Sequence, residues 1–133
     1  MNTNNLEPPE SNNTDGKDLS IYNAINKFGN FINDMIVIVD ENFKIMYINK
    51  DVHKRQAGYD EEDLIGHSSL EFIHPDDIDG TITQFKSALE TGEGYLEVRI
   101  RKKDGTDIWT ETKGKSFIDD NGKTNFLLIS RDI

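Results

Sequence analysis

The chain contains no cysteine, which excludes disulfides, thiolate metal sites and cysteine nucleophiles at once. No apolar run approaches the ~20 residues of a membrane-spanning helix, and the N-terminus shows no basic-then-apolar signal segment. Direct membrane insertion is therefore not expected. Positive charge is scarce: 15 basic residues stand against 25 acidic ones, for a net charge of -10. The phosphate field of nucleic acid or of an anionic membrane repels such a chain. Its basic residues form no cluster denser than Arg99, Arg101, Lys102 and Lys103. What remains is a single acidic domain of 133 residues, long enough to bury a substantial core and expected in the cytoplasm.

Residues 1–17, MNTNNLEPPESNNTDGK, are dominated by Asn, Pro and acid. A stretch with so little apolar surface cannot offset the entropy of ordering it, and it reads as a flexible leader. From Asp18 the pattern changes. Ile21, Ile25, Phe28 and Ile32 recur at steps of four, three and four, one helical stripe, which predicts a helix over 18–34 capped by Asp18 or Ser20. Met35 to Val39 is a continuous β-branched run, and Lys44 to Asn49 returns after the turn residues Asp40, Glu41 and Asn42. Short helical pieces follow, with a capping box of Asp60 and Asp63 and a helix-ending Gly66. After HPDD, a longer helix carries Ile78, Ile82, Phe85 and Leu89 on one stripe and ends at Gly92. Three strands in an antiparallel meander complete the chain.

This order predicts an α+β fold, a five-stranded antiparallel sheet with the helices gathered on one face. The last strand complicates it. Phe126, Leu127, Leu128 and Ile129 are apolar in succession, and a strand points successive side chains to opposite faces. Both faces must be covered there, and the helix at 18–34 is the local candidate for the second.

The stretch GYDEEDLIGHSSLEFIHPDD, with RKKDGTDIW and the terminal SRDI, resembles a PAS domain of the prokaryotic sensory-box type. The resemblance spans about residues 33 to 133 and divides the chain into a leader (1–17), an N-terminal capping and dimerisation helix (18–34) and the PAS domain (35–133). It implies a sensory input and dimerisation module of a cytoplasmic signalling protein such as a histidine kinase. Such a module forms a homodimer, takes a small-molecule or other cue in the cleft between sheet and helices, and passes it to an effector domain beyond Ile133. The alternative is a constitutive protein–protein interaction module with no ligand. The sequence departs from the family between Asn49 and Gly58, where KDVHKRQA offers only Val52 and Ala57 as apolar residues.

No enzyme is expected. The paired carboxylates in DEED, PDDID and at 119–120 fall at turns and helix starts, where acids favour the helix dipole. Nothing assembles a nucleophile, base and orienting group, and no phosphate-cradling glycine loop is present. No metal site is expected. His53, His67 and His74 lie in three predicted elements, each among charged or turn residues, and read as solvated or turn-stabilising. Haem-binding members of the family take an axial histidine from the longer helix, and IDGTITQFKSALETG has none. Matched to the light-sensing subfamily, LIGHSSLEF puts Ser69 where the flavin-reactive cysteine stands, and a hydroxyl cannot form that thioether. The covalent flavin adduct is excluded, haem is not expected, and the cofactor, if any, stays unassigned.

Strand parity marks the candidate site. With Leu96, Val98 and Ile100 facing the helices, the last strand presents Phe126, Leu128 and Ser130 to the same side. The resemblance adds Thr110, Thr112, Gly114 and Ser116 from the middle strand. Ile100, Thr110, Thr112, Phe126, Leu128 and Ser130 are thus the candidate ligand-lining residues. Hydroxyls on this apolar face need partners if buried, either one another or a ligand. Opposite parity sends Trp109, Leu127 and Ile129 to the outer face, where Ile21, Ile25 and Phe28 are expected to cover them within one chain or across a dimer. An ion pair is expected between Glu62 or Asp63 and Arg101 or Lys102, again by resemblance.

Overall fold

The computed structural model describes residues 21, 23–25 and 27–133. The leader at 1–17 and the caps expected at Asp18 and Ser20 lie outside the described residues. Five strands form one antiparallel sheet in the order β2-β1-β5-β4-β3: β1 (Met35–Asp40), β2 (Ile45–Ile48), β3 (Glu93–Arg101), β4 (Asp107–Ile118) and β5 (Thr124–Asp132). Between β2 and β3 run α1 (Lys50–Ala57), α2 (Glu61–Leu64), two 3-10 turns (Ser69–Phe72 and Pro75–Asp77) and α3 (Ile78–Thr91). The fold is the expected α+β architecture. The chain termini of the domain meet in its centre, because β1 pairs with β5 along its length, from Met35 opposite Ser130 to Asp40 opposite Asn125.

Local chemistry explains the element ends. The Asp40 carboxylate accepts from the Asn42 and Lys44 backbone N–H groups at 2.8 and 3.0 Å, closing the β1–β2 turn. The same turn holds Phe43 at φ 67, a left-handed conformation that is costly for a bulky residue. Its ring is repaid by packing on Phe85, centroid to centroid at 4.2 Å. The Asp60–Asp63 capping box is present at the start of α2. Glycines in the left-handed region, Gly58 and Gly92, end α1 and α3, as an αL cap requires.

The core lies between the sheet and the helices, built from Met35, Val39, Ile45, Ile48, Val52, Leu64 and Phe126 among others. Each such side chain contributes roughly 1.5–3 kcal/mol by leaving water. The inward stripe of α3 differs from the expected one. Leu89 is 43% exposed whereas Ala88 is buried, and the helix turns Thr81, Gln84, Phe85 and Ala88 towards the sheet. Small residues decide this rotation: a methyl group at Gly94 would lie 3.3 Å from the Ala88 Cβ, so α3 sits close on β3 only with Ala and Gly at the crossing.

The outer face is covered at one side only. Described residues between 21 and 28 are helical, and a 3-10 turn, Gly29–Phe31, follows. The single stripe predicted through Ile32 is therefore broken at Gly29. That glycine is buried on the outer face by Tyr47, and a methyl there would lie 3.4 Å from the tyrosine hydroxyl and 3.5 Å from Ile25 Cγ2. Ile38, paired with Tyr47 and Leu127 and so pointing outward, is 0% exposed. Over β4 and β5 the same face is open, with Trp109 50% and Ile129 36% exposed.

Candidate functional site

The meander β3–β4–β5 builds one wall of a cavity. Its register sets Leu96 opposite Thr112 and Thr112 opposite Ser130, and Gly94 opposite Gly114 and Gly114 opposite Leu128. Residues paired across antiparallel strands share a face, so this row points to the helices together. The cavity between them and the helices is about 150 Å³. Ile100, Thr112, Phe126, Leu128 and Ser130 line it. Thr110 does not: it is fully buried beside the cavity, where its hydroxyl donates to the Val98 carbonyl at 2.9 Å.

Sequence reasoning missed much of the lining. Met35 and Val37 extend the sheet wall from β1, and Phe43, His53, Tyr59, Ser69 and Phe72, with Thr81, Gln84, Phe85 and Ala88 of α3, face it from the helical side. The parity of β1 could have supplied Met35 and Val37, since Val37 stands opposite Leu128. No charged side chain reaches the cavity. A volume of this size is below the roughly 300–1,000 Å³ of pockets for drug-sized ligands. An apolar cavity of about 150 Å³ suits a molecule the size of benzene.

The three hydroxyls satisfy one another. Thr110 donates to a carbonyl, which accepts only. The Thr112 hydroxyl, 3.2 Å from Thr110 Oγ1, must then donate to it, and Ser130, 2.7 Å from Thr112 Oγ1, donates to Thr112. Every proton in this chain is committed, and what faces the cavity from Ser130 is a lone pair.

His53 overturns its expected solvated role. It is 5% exposed, and burial holds its pKa below the ordinary histidine value, against the opposing effect of its bond to Asn49. The cause is one helical turn of spacing: Asn49 immediately precedes α1, and His53 Nδ1 lies 3.1 Å from the Asn49 carbonyl and 3.0 Å from its Oδ1. Asn49 is itself locked. Its Oδ1 accepts from the Ile36 N–H at 2.8 Å, and its Nδ2 donates to the carbonyls of Gly29 and Asp34 at 3.0 and 2.8 Å. By contrast His74 is the turn residue expected, its Nδ1 accepting from the Asp76 N–H at 3.0 Å. His67 pairs with Glu71 on the surface.

Two ion pairs tie the helical segments to β3 and to the turn that follows it. The Asp77 carboxylate receives the Arg99 backbone N–H at 2.8 Å, Nε at 3.0 Å and Nη2 at 2.8 Å, and these bonds to Arg99 hold it below the usual carboxylate range. The expected pair to the acidic turn is corrected in one partner. Asp63 pairs with Lys103 at 2.8 Å, whereas Arg101 turns to Asp107. Neither Glu62 nor Lys102 takes part in it, because the Lys103 N–H docks on the Ala57 carbonyl at 2.9 Å and carries its own side chain to α2. Among the described residues no cluster of His, Cys, Asp or Glu could hold a metal ion, and no helix is long and apolar enough to cross a membrane.

A five-stranded antiparallel sheet curled over short helices around a small internal cavity defines an α+β domain of the sensory-module class. The family described as PAS fold matches residues 45–129, and the chain belongs to it. Solved structures agree. The PAS domain of a protein from Colwellia psychrerythraea is 28% identical, covers 85% of this chain and 97% of its own, and gives a TM-score of 0.74. The PAS domain of an HTR-like protein from Haloarcula marismortui is 27% identical over 89% of this chain and 97% of that one, with a TM-score of 0.72. A PAS domain from a two-component sensor histidine kinase, 15% identical with a TM-score of 0.71 over 88% of this chain and 99% of its own, shares the fold. No curated protein matches the chain.

Proposed function

We propose that this PAS domain is the sensory input and dimerisation module of a cytoplasmic signalling protein of the histidine-kinase kind, with no catalysis of its own. A small molecule in the cleft between sheet and helices is its cue. The observation that carries this reading is the charge-free cavity of about 150 Å³, lined in part by residues of β3, β4 and β5 that share one face of the sheet. Occupancy would act by population shift, changing how the N-terminal segment docks and how β5 leaves the sheet. Two contacts support that route. Arg131 lies 3.9 Å from Asp34, and the Ile133 N–H donates to the Trp109 carbonyl at 3.1 Å. The exposed Trp109 and Ile129 favour a two-fold dimer through the open outer face, since a patch of large side chains left in water marks an interaction site. An effector domain after Ile133 would read the change.

Native mass spectrometry of the purified protein, followed by denaturing extraction and an absorption spectrum, tests the cue. A copurifying small molecule is the expected result. A protein that carries none, and whose unfolding temperature responds to no benzene-sized compound, would instead be the constitutive interaction module.

A further inference from the structure

Along the sheet and at α1, the buried polar groups of the cavity share one property: their protons are committed to the protein, whereas Ser69 and the exposed Gln84 line it from the helical side. For the hydroxyl chain this follows from its anchor on the Val98 carbonyl, which forces Thr110, Thr112 and Ser130 to donate in that one direction. For His53 it follows from Asn49. The amide of Asn49 cannot be flipped, because its Nδ2 faces two carbonyls and its Oδ1 faces the Ile36 N–H. Both atoms that meet His53 Nδ1 are therefore acceptors, and Nδ1 must carry the ring proton. A neutral imidazole then has a bare lone pair at Nε2, on the side of the ring away from Asn49. His53 lines the cavity, and among the described residues nothing pairs with Nε2. Tyr59 adds no donor either, as its hydroxyl donates to the Arg101 carbonyl at 2.7 Å.

We propose that the cavity takes a neutral, benzene-sized molecule carrying one O–H or N–H donor, and that Nε2 of His53 receives that donor. The inference rests on the reading of the cavity as a ligand site and names the chemical class that site selects. A charged ligand has no counter-charge among the lining residues. An acceptor-only molecule, such as an ether or aldehyde, meets lone pairs at both Ser130 and His53 and finds donors only across the cavity, at Ser69 and Gln84, where it leaves Nε2 unpaired. A donor meets an acceptor that is otherwise unpaired, and the buried lone pair gains its missing bond. The sequence interval KDVHKRQA, unusual for its lack of aliphatic residues, thereby acquires a function: it places an acceptor on an apolar wall. Through Asn49 the same imidazole is tied to the carbonyls of Gly29 and Asp34, so the ligand bond sits one side chain away from the N-terminal segment.

Phenol, anisole and toluene have nearly the same shape and differ in the donor. Titrated into the full chain, with binding read from amide chemical shifts, phenol should bind about two- to tenfold more tightly than either of the others, the ratio of one neutral hydrogen bond. In His53→Leu that preference should vanish while toluene still binds. Nitrogen shifts of the wild-type imidazole give a readout that needs no variant: Nδ1 should carry the proton, and the Nε2 signal should move when phenol saturates the site. Equal binding of all three compounds, or an Nε2 signal unmoved by phenol, overturns the assignment of His53 and leaves the cavity reading standing. Failure of all three to bind overturns the cavity reading and the inference with it.

Discussion

Asn49 holds more of this domain together than its size suggests. One fully buried amide joins β1 through Ile36, the N-terminal segment through Gly29, the approach to β1 through Asp34, and α1 through His53. Removing it leaves the buried Ile36 N–H and the part-buried Asp34 carbonyl without their partner, while the Gly29 carbonyl keeps only its bond from the Ile32 N–H at 3.3 Å, and each buried group so orphaned costs about 1–3 kcal/mol. Asn49→Ala should therefore destabilise the domain by about 2–5 kcal/mol, read as a lower urea midpoint with an unchanged slope. A loss below about 1 kcal/mol would mean that water replaces these bonds at little cost. Neighbouring surface contacts are of a different kind. Asp51 N–H to Asn30 and Arg55 to Asn33 are exposed, and they align the segment more than they stabilise it.

At the scale of elements, the junction between the HPDD turn and β3 positions the helical wall. Asp77 takes three donors from Arg99, the His74 N–H donates to the Arg99 carbonyl, and Ile73 bridges Ile100. These contacts fix where α3 begins. Because the folded pKa of Asp77 is held below its ordinary value of 3.8, the unfolded chain binds its proton first as pH falls. The contribution of this carboxylate to stability is complete above about pH 4 and is lost as pH drops through the depressed folded value. Thermal unfolding of wild type and Asp77→Asn, followed from about pH 6 to about pH 2, should show the variant less stable near neutrality and the two curves converging in acid. Parallel curves would remove Asp77 as a source of the acid limb, leaving the shift to other depressed acids such as Asp63 and Asp119.

For the whole molecule the deciding feature is the asymmetry of the sheet's outer face. At β1 it is closed, with Ile36 and Ile38 buried, and over β4 and β5 it is open, with Trp109 under the Arg99 guanidinium at 4.8 Å. Phe28 is 55% exposed, so within one chain it does not cover Trp109. Deleting residues 1–34 should uncover Ile36 and Ile38 and strip Asn49 of two acceptors, producing aggregation or a changed oligomer in light scattering. Deleting 1–17 should leave the oligomeric state as it is. If the two truncations scatter alike, the N-terminal segment is not the cover of β1, and coupling of the cavity to that segment loses its basis.

The antiparallel sheet, the turns and the shared inward face of β3 and β5 were legible in the sequence, because a period of two and a set of turn residues are local properties of the chain; the inward face of β4 came from the family resemblance. The cover expected on both faces of β5 is absent on the outer one within a single chain, where Ile129 is 36% exposed. Partner choice was not local. Asp63 takes Lys103 rather than Lys102 because a backbone bond to Ala57, far off in sequence, sets the turn on α1. The inward face of α3 is chosen by Ala88 meeting Gly94, a fit that helical periodicity cannot anticipate. The burial of His53 among charged neighbours had no signal in composition. By itself the sequence determined which elements form and which strand faces agree; only the tertiary structure decided which polar groups lie inside. Burial and hydrogen-bond direction are properties of the surroundings, and residues distant along the chain supply those.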